Sequence, residues 1–383
     1  MTRKIRMGMV GGGVGAFIGD VHRMASRLDG KIELVCGAFS SNPEKSRASG
    51  EAFFLDPARC YGSFAEMIET ESKLPADVRM DFVSIVTPNH LHFEPAKMAI
   101  EAGFHVVCDK PVTFSTDEAL ELQKLVAKHN PVFALTHNYT GYPMVKEARD
   151  MVQKGRLGKI RRVVVEYPQG WLSTRLEESG QKQASWRTDP SKSGKAGAMG
   201  DIGTHAENLA EYVTGLKITR LCADLNTFVE GRMLDDDGAV LLEFDQGAKG
   251  ILFATQIAAG EENNLRLRVY GEKGGLDWSQ MEPNSLIVRW LDKGTEIKRT
   301  GVGELSEASM AATRIPAGHP EGFLEAFANI YKNVADTLLA LDRGEQPSAI
   351  MLDFPTIEDG VRGMQFIDRV VESAGTEQKW IDF

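Results

Sequence analysis

The residues that most constrain the fold of this chain are the glycines that follow its first apolar run. Residues 5–10 form a predicted strand that leads directly into Gly11-Gly12-Gly13-Val14-Gly15-Ala16. This segment matches a G-x-G-x-x-A pattern, in which glycine permits a tight turn and a close approach to a pyrophosphate. The pattern is specific only after the first strand of a βαβ series. We expect the following residues to contact a dinucleotide: Gly11, Gly13, Val14, Gly15, Ala16, Phe17 and Ile18.

The first 140 residues continue this series by alternating short apolar runs with helical patterns. Strands are predicted at 5–10, 32–38, 82–86, 105–108 and 132–135, and helices at 43–52, 64–69, 94–101 and 116–129. Such alternation is typical of an α/β fold with a parallel sheet. The sequence therefore predicts a Rossmann domain over residues 1–140.

The pattern changes after a predicted helix at 143–154. Runs with β character follow at 160–167, 218–229, 240–244, 250–256, 265–270 and 286–290, with one helix at 205–214 and a long polar loop at 180–200. Successive strands without intervening helices predict an α+β domain over residues 141–383 with a large, mainly antiparallel open sheet. Two final helices, at 320–341 and 355–374, are expected to pack back across the domains, with no strand after them.

Charge and cysteine content restrict the partners of the chain. The 44 basic and 54 acidic side chains give a net charge of −10, which argues against a nucleic acid or an anionic membrane as partner. No apolar run approaches the roughly 18 to 20 residues of a membrane helix, and a signal peptide is not evident. The four cysteines form no C-x-x-C pair. We therefore expect a cytoplasmic protein without a metal site.

The choice between NAD and NADP depends on the end of the second strand. NAD enzymes usually place an acidic residue there, and NADP enzymes a cation. This chain has Ser40 and Ser41 at that end, followed by Lys45 and Arg47, whereas Glu33 lies inside the strand. The residues leave both cofactors open. Because no arginine directly follows the serines, we expect a modest preference for NAD.

Two further clusters follow predicted strands of the first domain. Thr87, Pro88, Asn89 and His92 come after the third strand, and Asp109-Lys110 after the fourth. The carboxyl ends of parallel strands border the ligand crevice of such sheets, so we expect both clusters to line the cofactor site. Lys110 is placed to bond a substrate hydroxyl and the nicotinamide ribose. Alternatively, the clusters are a capping turn with surface histidines and a solvated lysine.

A candidate acid–base pair stands far downstream. Asp201 and His205 are four residues apart and share a face if the segment is helical. A neutral histidine can take the hydroxyl proton as hydride leaves an alcohol, while a carboxylate orients the ring. An N-capping aspartate beside a histidine would produce the same spacing. The combination with a dinucleotide site and Lys110 favours the catalytic interpretation.

These motifs together resemble the Gfo/Idh/MocA family of sugar and polyol dehydrogenases, which includes glucose-fructose oxidoreductase and myo-inositol dehydrogenase. In that family a Glu-Lys-Pro motif ends a strand, and an Asp-x-x-x-His pair opens the long helix of the second domain. The resemblance covers nearly the whole chain and assigns catalytic positions to Lys110, Asp201 and His205, with His205 as general base. Two departures are Asp109 in place of the family's glutamate and an additional stretch, 16–18, in the first loop.

Several polar and aromatic residues are candidates for holding a polyhydroxylated substrate. Aromatic faces cover the apolar side of a sugar ring, while polar groups bind its hydroxyls. The candidates are Asn138, Tyr139, Trp171, Trp186, Arg187, His319 and His205 itself. For each of them, core packing or a surface position is the alternative.

The sequence thus predicts an NAD(P)-dependent oxidoreductase that transfers hydride between a secondary hydroxyl of a sugar, glycoside or inositol and nicotinamide. Two alternatives are an NAD-dependent enzyme that cleaves glycosides through transient oxidation and a nucleotide-binding regulator without turnover. Poor alternation in 163–167 and an apolar run at 221–229 suggest that one face of the second sheet is covered by another subunit. A homodimer or homotetramer is therefore expected.

Overall fold

The computed structural model describes residues 3–383, which divide into two compact units. The first unit contains the described residues up to Asn138 together with Leu324–Val361. The second contains Tyr139–Phe323 and Arg362–Phe383. The predicted domain boundary lies near residue 140, and the late segment Leu324–Val361, which contains most of the first of the two final helices, belongs to the first unit.

Five parallel strands form the sheet of the first unit. They are β1 (Ile5–Gly11), β2 (Ile32–Ala38), β3 (Phe82–Val86), β4 (His105–Cys108) and β5 (Phe133–Leu135). Their spatial order is β2-β1-β3-β4-β5, with every pairing parallel. The strand order reverses between β1 and β3, which is where ligands bind in open α/β sheets. The predicted Rossmann sheet is confirmed.

Five helices connect these strands or follow them along the chain. They are α1 (Phe17–Leu28), α2 (Pro43–Ala52), α3 (Phe64–Ser72), α4 (Phe93–Glu101) and α5 (Thr116–His129). Local sequence determines several of their ends: Asn42 caps α2 with Pro43 at its first position, and Ser115 with Glu118 forms a capping box at α5. Helices between successive strands give the sheet its parallel connections.

The second unit is built on a nine-stranded sheet. Its strands are β6 (Ile160–Pro168), β7 (Ile218–Asn226), β8 (Asp237–Phe244), β9 (Lys249–Thr255), β10 (Arg266–Gly271), β11 (Gly274–Ser279), β12 (Ser285–Trp290), β13 (Glu296–Arg299) and β14 (Trp380–Asp382). The order is β13-β12-β11-β10-β6-β9-β8-β7-β14. Only β6 and β9 pair in parallel, so the predicted, mainly antiparallel sheet is confirmed. The expectation that no strand follows the last helix is wrong, because β14 pairs with β7.

The helices of the second unit include three that the sequence did not predict. The described helices are α6 (Pro143–Gln153), α7 (Lys182–Arg187), α8 (Pro190–Ser193), α9 (Thr204–Thr214) and α10 (Glu307–Ala311), of which α7, α8 and α10 are the unpredicted ones. The prediction of a loop over 180–200 is wrong at α7 and α8, which are capped by the side chains of Gln181 and Asp189. α6 and α9 pack against the sheet.

Two long helices lie near the end of the chain. α11 (Phe323–Asp342) belongs almost entirely to the first unit, whereas α12 (Ile357–Gly375) begins in the first unit and continues in the second. Neither they nor any other helix of residues 3–383 combines the length and apolar character needed to cross a membrane.

Candidate active site

The glycine loop connects β1 to the start of α1 in the first unit. Gly11 and Gly15 have φ angles of +80° and +81°, which favour glycine. Ala16 is the N-cap of α1 but provides no side-chain cap. The N–H groups of the first turn of α1 therefore have no side-chain cap there and can bind an anion. Val14 and Phe17 are 66% and 65% exposed, so the loop presents backbone groups and apolar side chains.

The close approach between this loop and α1 occurs at Gly19. A Cβ atom added to Gly19 would lie 2.4 Å from Cα of Gly12. The fingerprint places the small residue that permits such packing at Ala16. This chain instead has the close approach at Gly19, one turn further along, and Phe17 and Ile18 of the predicted additional stretch lie in α1 and not in the loop.

Gly13 packs against α2 and against the connection between β2 and α2. A Cβ atom there would lie 2.9 Å from Ser49 Oγ and 3.0 Å from the carbonyl oxygen of Phe39. Ser49 Oγ also accepts a hydrogen bond of 3.2 Å from the Val14 amide. Gly13 is therefore required by protein packing, in addition to any contact with a pyrophosphate.

The carboxyl end of β2 carries hydroxyl groups. Ser40 Oγ accepts a 3.1 Å hydrogen bond from the Asn42 amide, while Ser41 and Lys45 have exposed side chains. Glu33 is the second residue of β2 and lies at the opposite end of the strand. Within 38–45 the acidic side chain nearest this end is the exposed Glu44 on α2.

The loop after β3 lies beside the glycine loop, because Val86 pairs with Gly11 in the sheet. This loop contains Thr87, Pro88 and Asn89, and Asn89 is 7% exposed. The nearby His92 lies with Nδ1 2.7 Å from the Pro111 carbonyl oxygen and Nε2 2.8 Å from the Thr87 carbonyl oxygen. Burial lowers its pKa. Both ring nitrogens thus lie beside backbone carbonyl oxygens, and His92 joins the loop after β3 to the loop after β4.

The loop after β4 is held by Asp109. Its Oδ1 atom accepts hydrogen bonds from the Lys110 amide at 2.9 Å and from Thr136 Oγ1 at 2.8 Å. The shorter carboxylate therefore still joins the loops that follow β4 and β5. His137 is buried in the same unit, and its pKa falls to about 3 because of burial and the charge of Lys110. The sequence analysis did not identify His137.

Three buried side chains of the first unit have a nitrogen without a hydrogen-bond partner among the described residues. They are Nε of Arg6, Nδ2 of Asn138 and Nε2 of His22. The other ring nitrogen of His22 lies 2.6 Å from the hydroxyl of Tyr331, which also lies 2.8 Å from Ser84 Oγ. Burial lowers the pKa of His22 to about 4. Buried polar atoms generally have partners, so these three nitrogens are exceptions.

The residues of the first unit fit a dinucleotide. The fit rests on the left-handed glycines, the α1 terminus without a side-chain cap and the neighbouring loops after β1 and β3. When bound, such a cofactor supplies a nicotinamide ring that accepts or donates hydride. Gly11 to Ile18 would hold its pyrophosphate, and the loop with Thr87 and Asn89 lies beside that position.

In the second unit, Asp201 is fixed by two donors. Its Oδ2 atom accepts hydrogen bonds of 2.9 Å from Arg187 Nε and 2.9 Å from Gln256 Nε2. Asp201 lies in a π-helical turn, Met199–Gly203, immediately before α9, and π turns occur frequently at functional sites. Gln256 is 3% exposed and was not identified from the sequence.

His205 lies in the first turn of α9, in the same continuous helical segment as Asp201. It is 7% exposed. The Tyr139 ring packs against it edge-on at a centroid distance of 4.9 Å, and the Tyr167 ring lies at 6.4 Å. Burial raises the pKa of both tyrosines, which keeps them in the neutral, hydrogen-bonding form. His205 is thus enclosed by aromatic rings.

The remaining substrate candidates occupy different parts of the second unit. The guanidinium of Arg187 stacks on Trp186 at 4.2 Å from the ring centroid and lies 5.9 Å from that of Trp171. The indole N–H groups of Trp171 and Trp186 donate to Gln169 and Gln183. His319 is exposed in the segment before α11, with Nδ1 3.0 Å from the Pro316 carbonyl oxygen. The structure therefore groups Arg187 with the two tryptophans beside Asp201.

Two protein-family models match this chain. The model described as an oxidoreductase family with an NAD-binding Rossmann fold matches residues 5–139, and the GFO/IDH/MocA C-terminal domain matches residues 145–277. The chain belongs to the Gfo/Idh/MocA oxidoreductase family. The predicted family and the NAD-binding domain are confirmed.

Three relatives illustrate the similarity. An inositol dehydrogenase homologue from Azotobacter vinelandii, solved with NAD⁺, has a TM-score of 0.95 and 35% identity, covering 100% of this chain and 98% of that one. An oxidoreductase from Sinorhizobium meliloti has a TM-score of 0.88 and 45% identity, covering 99% of both chains. Levoglucosan dehydrogenase from Pseudarthrobacter phenanthrenivorans is 26% identical over 99% of this chain and 98% of its own length.

Proposed function

We propose that this member of the Gfo/Idh/MocA family is an NAD-dependent dehydrogenase that oxidises a secondary hydroxyl of a sugar, glycoside or inositol. The observation that carries the proposal is the pair of donors on Asp201, from Arg187 and Gln256, in the helical segment of His205. Two donors on one oxygen fix the orientation of the carboxylate. A fixed carboxylate beside a histidine of the same segment suits proton transfer from an alcohol.

The proposed roles divide between the two units. Residues of the glycine loop bind the cofactor, and Lys110 bonds the reacting hydroxyl and the nicotinamide ribose. His205 takes the hydroxyl proton as hydride leaves the carbon, and Asp201 stabilises the imidazolium that results. Trp171, Trp186 and Arg187 provide ring faces and a charged donor for a polyhydroxylated substrate.

Two relatives support this substrate class. The Azotobacter vinelandii inositol dehydrogenase homologue has been solved with NADH and myo-inositol, and it is 34% identical to this chain with a TM-score of 0.92. The name of the other relative, levoglucosan dehydrogenase, refers to an anhydrosugar. Both compounds carry several secondary hydroxyls on a ring.

The proposal is tested by following absorbance of reduced nicotinamide while inositols, sugars and glycosides are screened with NAD and NADP. We expect turnover with at least one cyclic polyol or sugar. His205→Ala should retain NAD affinity and lose turnover by roughly 100- to 10,000-fold, the usual contribution of a general base. His129→Ala, at the exposed end of α5, is the matched control. Near-normal kcat in His205→Ala removes His205 from the mechanism.

The same screen separates the alternative functions. Net formation of NADH supports a dehydrogenase. Release of an aglycone without net NADH supports glycoside cleavage by transient oxidation, because that route returns the hydride. Nucleotide binding with neither product supports a regulator.

We also propose that the uncovered face of the second sheet mediates assembly into a homodimer or homotetramer. Leu241 and Ile251 pair across β8 and β9 and are 47% and 39% exposed, and Tyr270 on β10 is 39% exposed. Light scattering should give a multiple of 42.1 kDa. Leu241→Lys combined with Ile251→Lys should dissociate the assembly, whereas Leu291→Lys, at a residue that is 82% exposed elsewhere in the unit, should not. A monomer mass for the wild-type chain contradicts the proposal.

A further inference from the structure

A network of hydrogen bonds in the second unit connects Trp171 to the tyrosines that pack against His205. Gln169 accepts from the indole of Trp171 at 3.0 Å and donates to Asn263 Oδ1 at 2.5 Å. Asn263 also contacts both Tyr139 and Tyr167. Nothing in the sequence motifs pointed to Asn263, which lies between β9 and β10.

The donor-only character of tryptophan fixes the direction of every bond in this network. The indole N–H of Trp171 can only donate, so the oxygen of Gln169 faces it and the Gln169 amide nitrogen faces Asn263. Asn263 therefore accepts through Oδ1. Its Nδ2 atom is left to donate to Tyr139, at 3.2 Å.

The hydrogen bonds among Asn263, Tyr139 and Tyr167 form a closed ring. Only one assignment of donors and acceptors is consistent with all three bonds. The Tyr139 hydroxyl accepts from Asn263 and donates to the Tyr167 hydroxyl, and Tyr167 donates to Asn263 Oδ1 at 2.7 Å. Both lone pairs of Oδ1 are then used, one by Tyr167 and one by Gln169. Tyr139 and Tyr167 are 3% and 2% exposed, so water does not readily replace a lost partner.

This ring of bonds fixes the orientation of the Tyr139 side chain. The ring of Tyr139 meets His205 at an interplanar angle of 87° and a centroid distance of 4.9 Å. A rotation of Tyr139 would break two hydrogen bonds at once and open space beside His205. The hydrogen-bond network therefore extends to the imidazole of His205 through the Tyr139 ring.

We propose that Asn263 is a positioning residue that holds the Tyr139 ring, and through it the imidazole of His205, in the orientation required for proton transfer. A substrate that packs on Trp171 would restrain the same network through Gln169. Asn263 thereby connects the face that binds the substrate ring to the group that takes its proton. The inference rests on the proposed role of His205 as general base.

Three variants test the inference. Tyr167→Phe removes the acceptor of the Tyr139 hydroxyl with little change of shape. Asn263→Asp keeps the acceptors for Tyr167 and Gln169 but cannot donate to Tyr139. Asn263→Ala removes all of these bonds. Asn264→Ala is the matched control, because it removes a neighbouring amide whose Oδ1 accepts only from Ser279 in this region, at 3.0 Å.

The first readout is the NMR signal of the His205 imidazole in protein labelled at histidine, assigned by its loss in His205→Gln. The chemical shift of this signal depends on the ring current of the adjacent Tyr139 side chain. We therefore expect the signal to shift or broaden in the three variants and to remain unchanged in Asn264→Ala. The indole N–H signal of Trp171 should move in Asn263→Ala but not in Tyr167→Phe. An unchanged His205 signal in Tyr167→Phe and in Asn263→Asp overturns the inference.

The second readout is steady-state kinetics. Loss of one net hydrogen bond shifts a conformational equilibrium by roughly 3- to 10-fold. We expect kcat to fall by about this factor in Tyr167→Phe and Asn263→Asp while the affinity for NAD is unchanged. If no substrate is turned over, the proposed function fails while the NMR signal still tests the network. If kcat is unaffected and wild-type turnover is normal, the inference alone is wrong.

Discussion

The Nε2 atom of Gln256 donates to Oδ2 of Asp201 across 2.9 Å, and the same oxygen accepts from Arg187. Gln256 follows β9, whereas Asp201 belongs to the π turn before α9, so the contact joins the sheet to the helical segment of the proposed base. A neutral amide and a cation on one oxygen limit the orientations open to the carboxylate.

Replacing Gln256 by methionine should therefore weaken catalysis without affecting the cofactor. Hydrogen bonds to charged groups contribute roughly 1.5 to 3 kcal/mol, which corresponds to about a 10- to 100-fold loss in kcat. Methionine keeps the length of the side chain and removes its donor. Initial-rate assays at saturating NAD measure kcat. Fluorescence titration with NAD measures the affinity for the cofactor separately.

Gln246→Met is the control for this substitution, because Gln246 is exposed in the turn between β8 and β9. It should leave both kcat and NAD affinity unchanged. A Gln256→Met enzyme with wild-type kcat would show that Asp201 is held in place without the Gln256 donor.

The first unit was largely predictable because its fold is encoded by local patterns. Each strand of its sheet is a short apolar run, and the residues that follow β1, β3 and β4 at one edge were expected to border a ligand. The second unit was less predictable. β13 and β14 are short strands with charged residues, and pairing with neighbouring strands, which local sequence does not reveal, places them in the sheet.

The candidate site was predictable only where a residue belongs to a motif. Lys110, Asp201 and His205 stand in recognisable spacings. Gln256 and Asn263 are neutral amides, and their importance depends on partners that are distant in sequence. Gly19 illustrates the same limit, because its close contact with Gly12 appears only when the helix is placed against the loop.

Gly13→Ala should weaken NAD binding by displacing the glycine loop. The new Cβ atom would lie 2.9 Å from Ser49 Oγ and 3.0 Å from the Phe39 carbonyl oxygen, and backbone cannot yield easily. Overpacking of this kind costs roughly 1 to 3 kcal/mol, so we expect Kd for NAD to rise by about tenfold or more. Gly294→Ala, where the added Cβ meets nothing within 4 Å, should bind NAD normally. Equal affinity in both variants would contradict this account of the loop.

Two buried histidines should make the stability of the protein depend on pH. Burial lowers the pKa of His22 to about 4 and that of His137 to about 3, from 6.5. Between pH 6.5 and about 4 the unfolded chain binds protons at these positions that the folded chain does not. Stability therefore rises with pH across this window, by up to about 1.4 kcal/mol per pH unit for each histidine.

Urea unfolding between pH 5 and 6.5 measures this dependence. His22→Gln should flatten the slope relative to wild type, because its amide does not titrate and can still contact the Tyr331 hydroxyl. Carboxylates also contribute to the dependence of the unfolding free energy on pH. Because this contribution is common to both proteins, the difference between their slopes reports on His22. Identical slopes would show that His22 takes up its proton in the folded state.

Cofactor choice should favour NAD over NADP by a modest factor. At the end of β2, Ser40 and Ser41 offer hydroxyls to a ribose, and the exposed Glu44 opposes the charge of a 2′-phosphate. Lys45 and Arg47 are exposed on α2 and partly offset Glu44, but no arginine directly follows the serines to form a bidentate contact. Placing an arginine at the end of the strand should therefore change the preference.

The measurement is the ratio of kcat/KM for the two cofactors with one shared substrate. We expect wild type to favour NAD and Ser41→Arg to shift the ratio toward NADP, because a guanidinium can bind a phosphate through two hydrogen bonds. Lys45→Ala should leave kcat/KM with NAD unchanged and lower it with NADP. A wild-type preference for NADP of more than about tenfold, equivalent to about 1.4 kcal/mol, would mean that Lys45 or Arg47 reaches the phosphate.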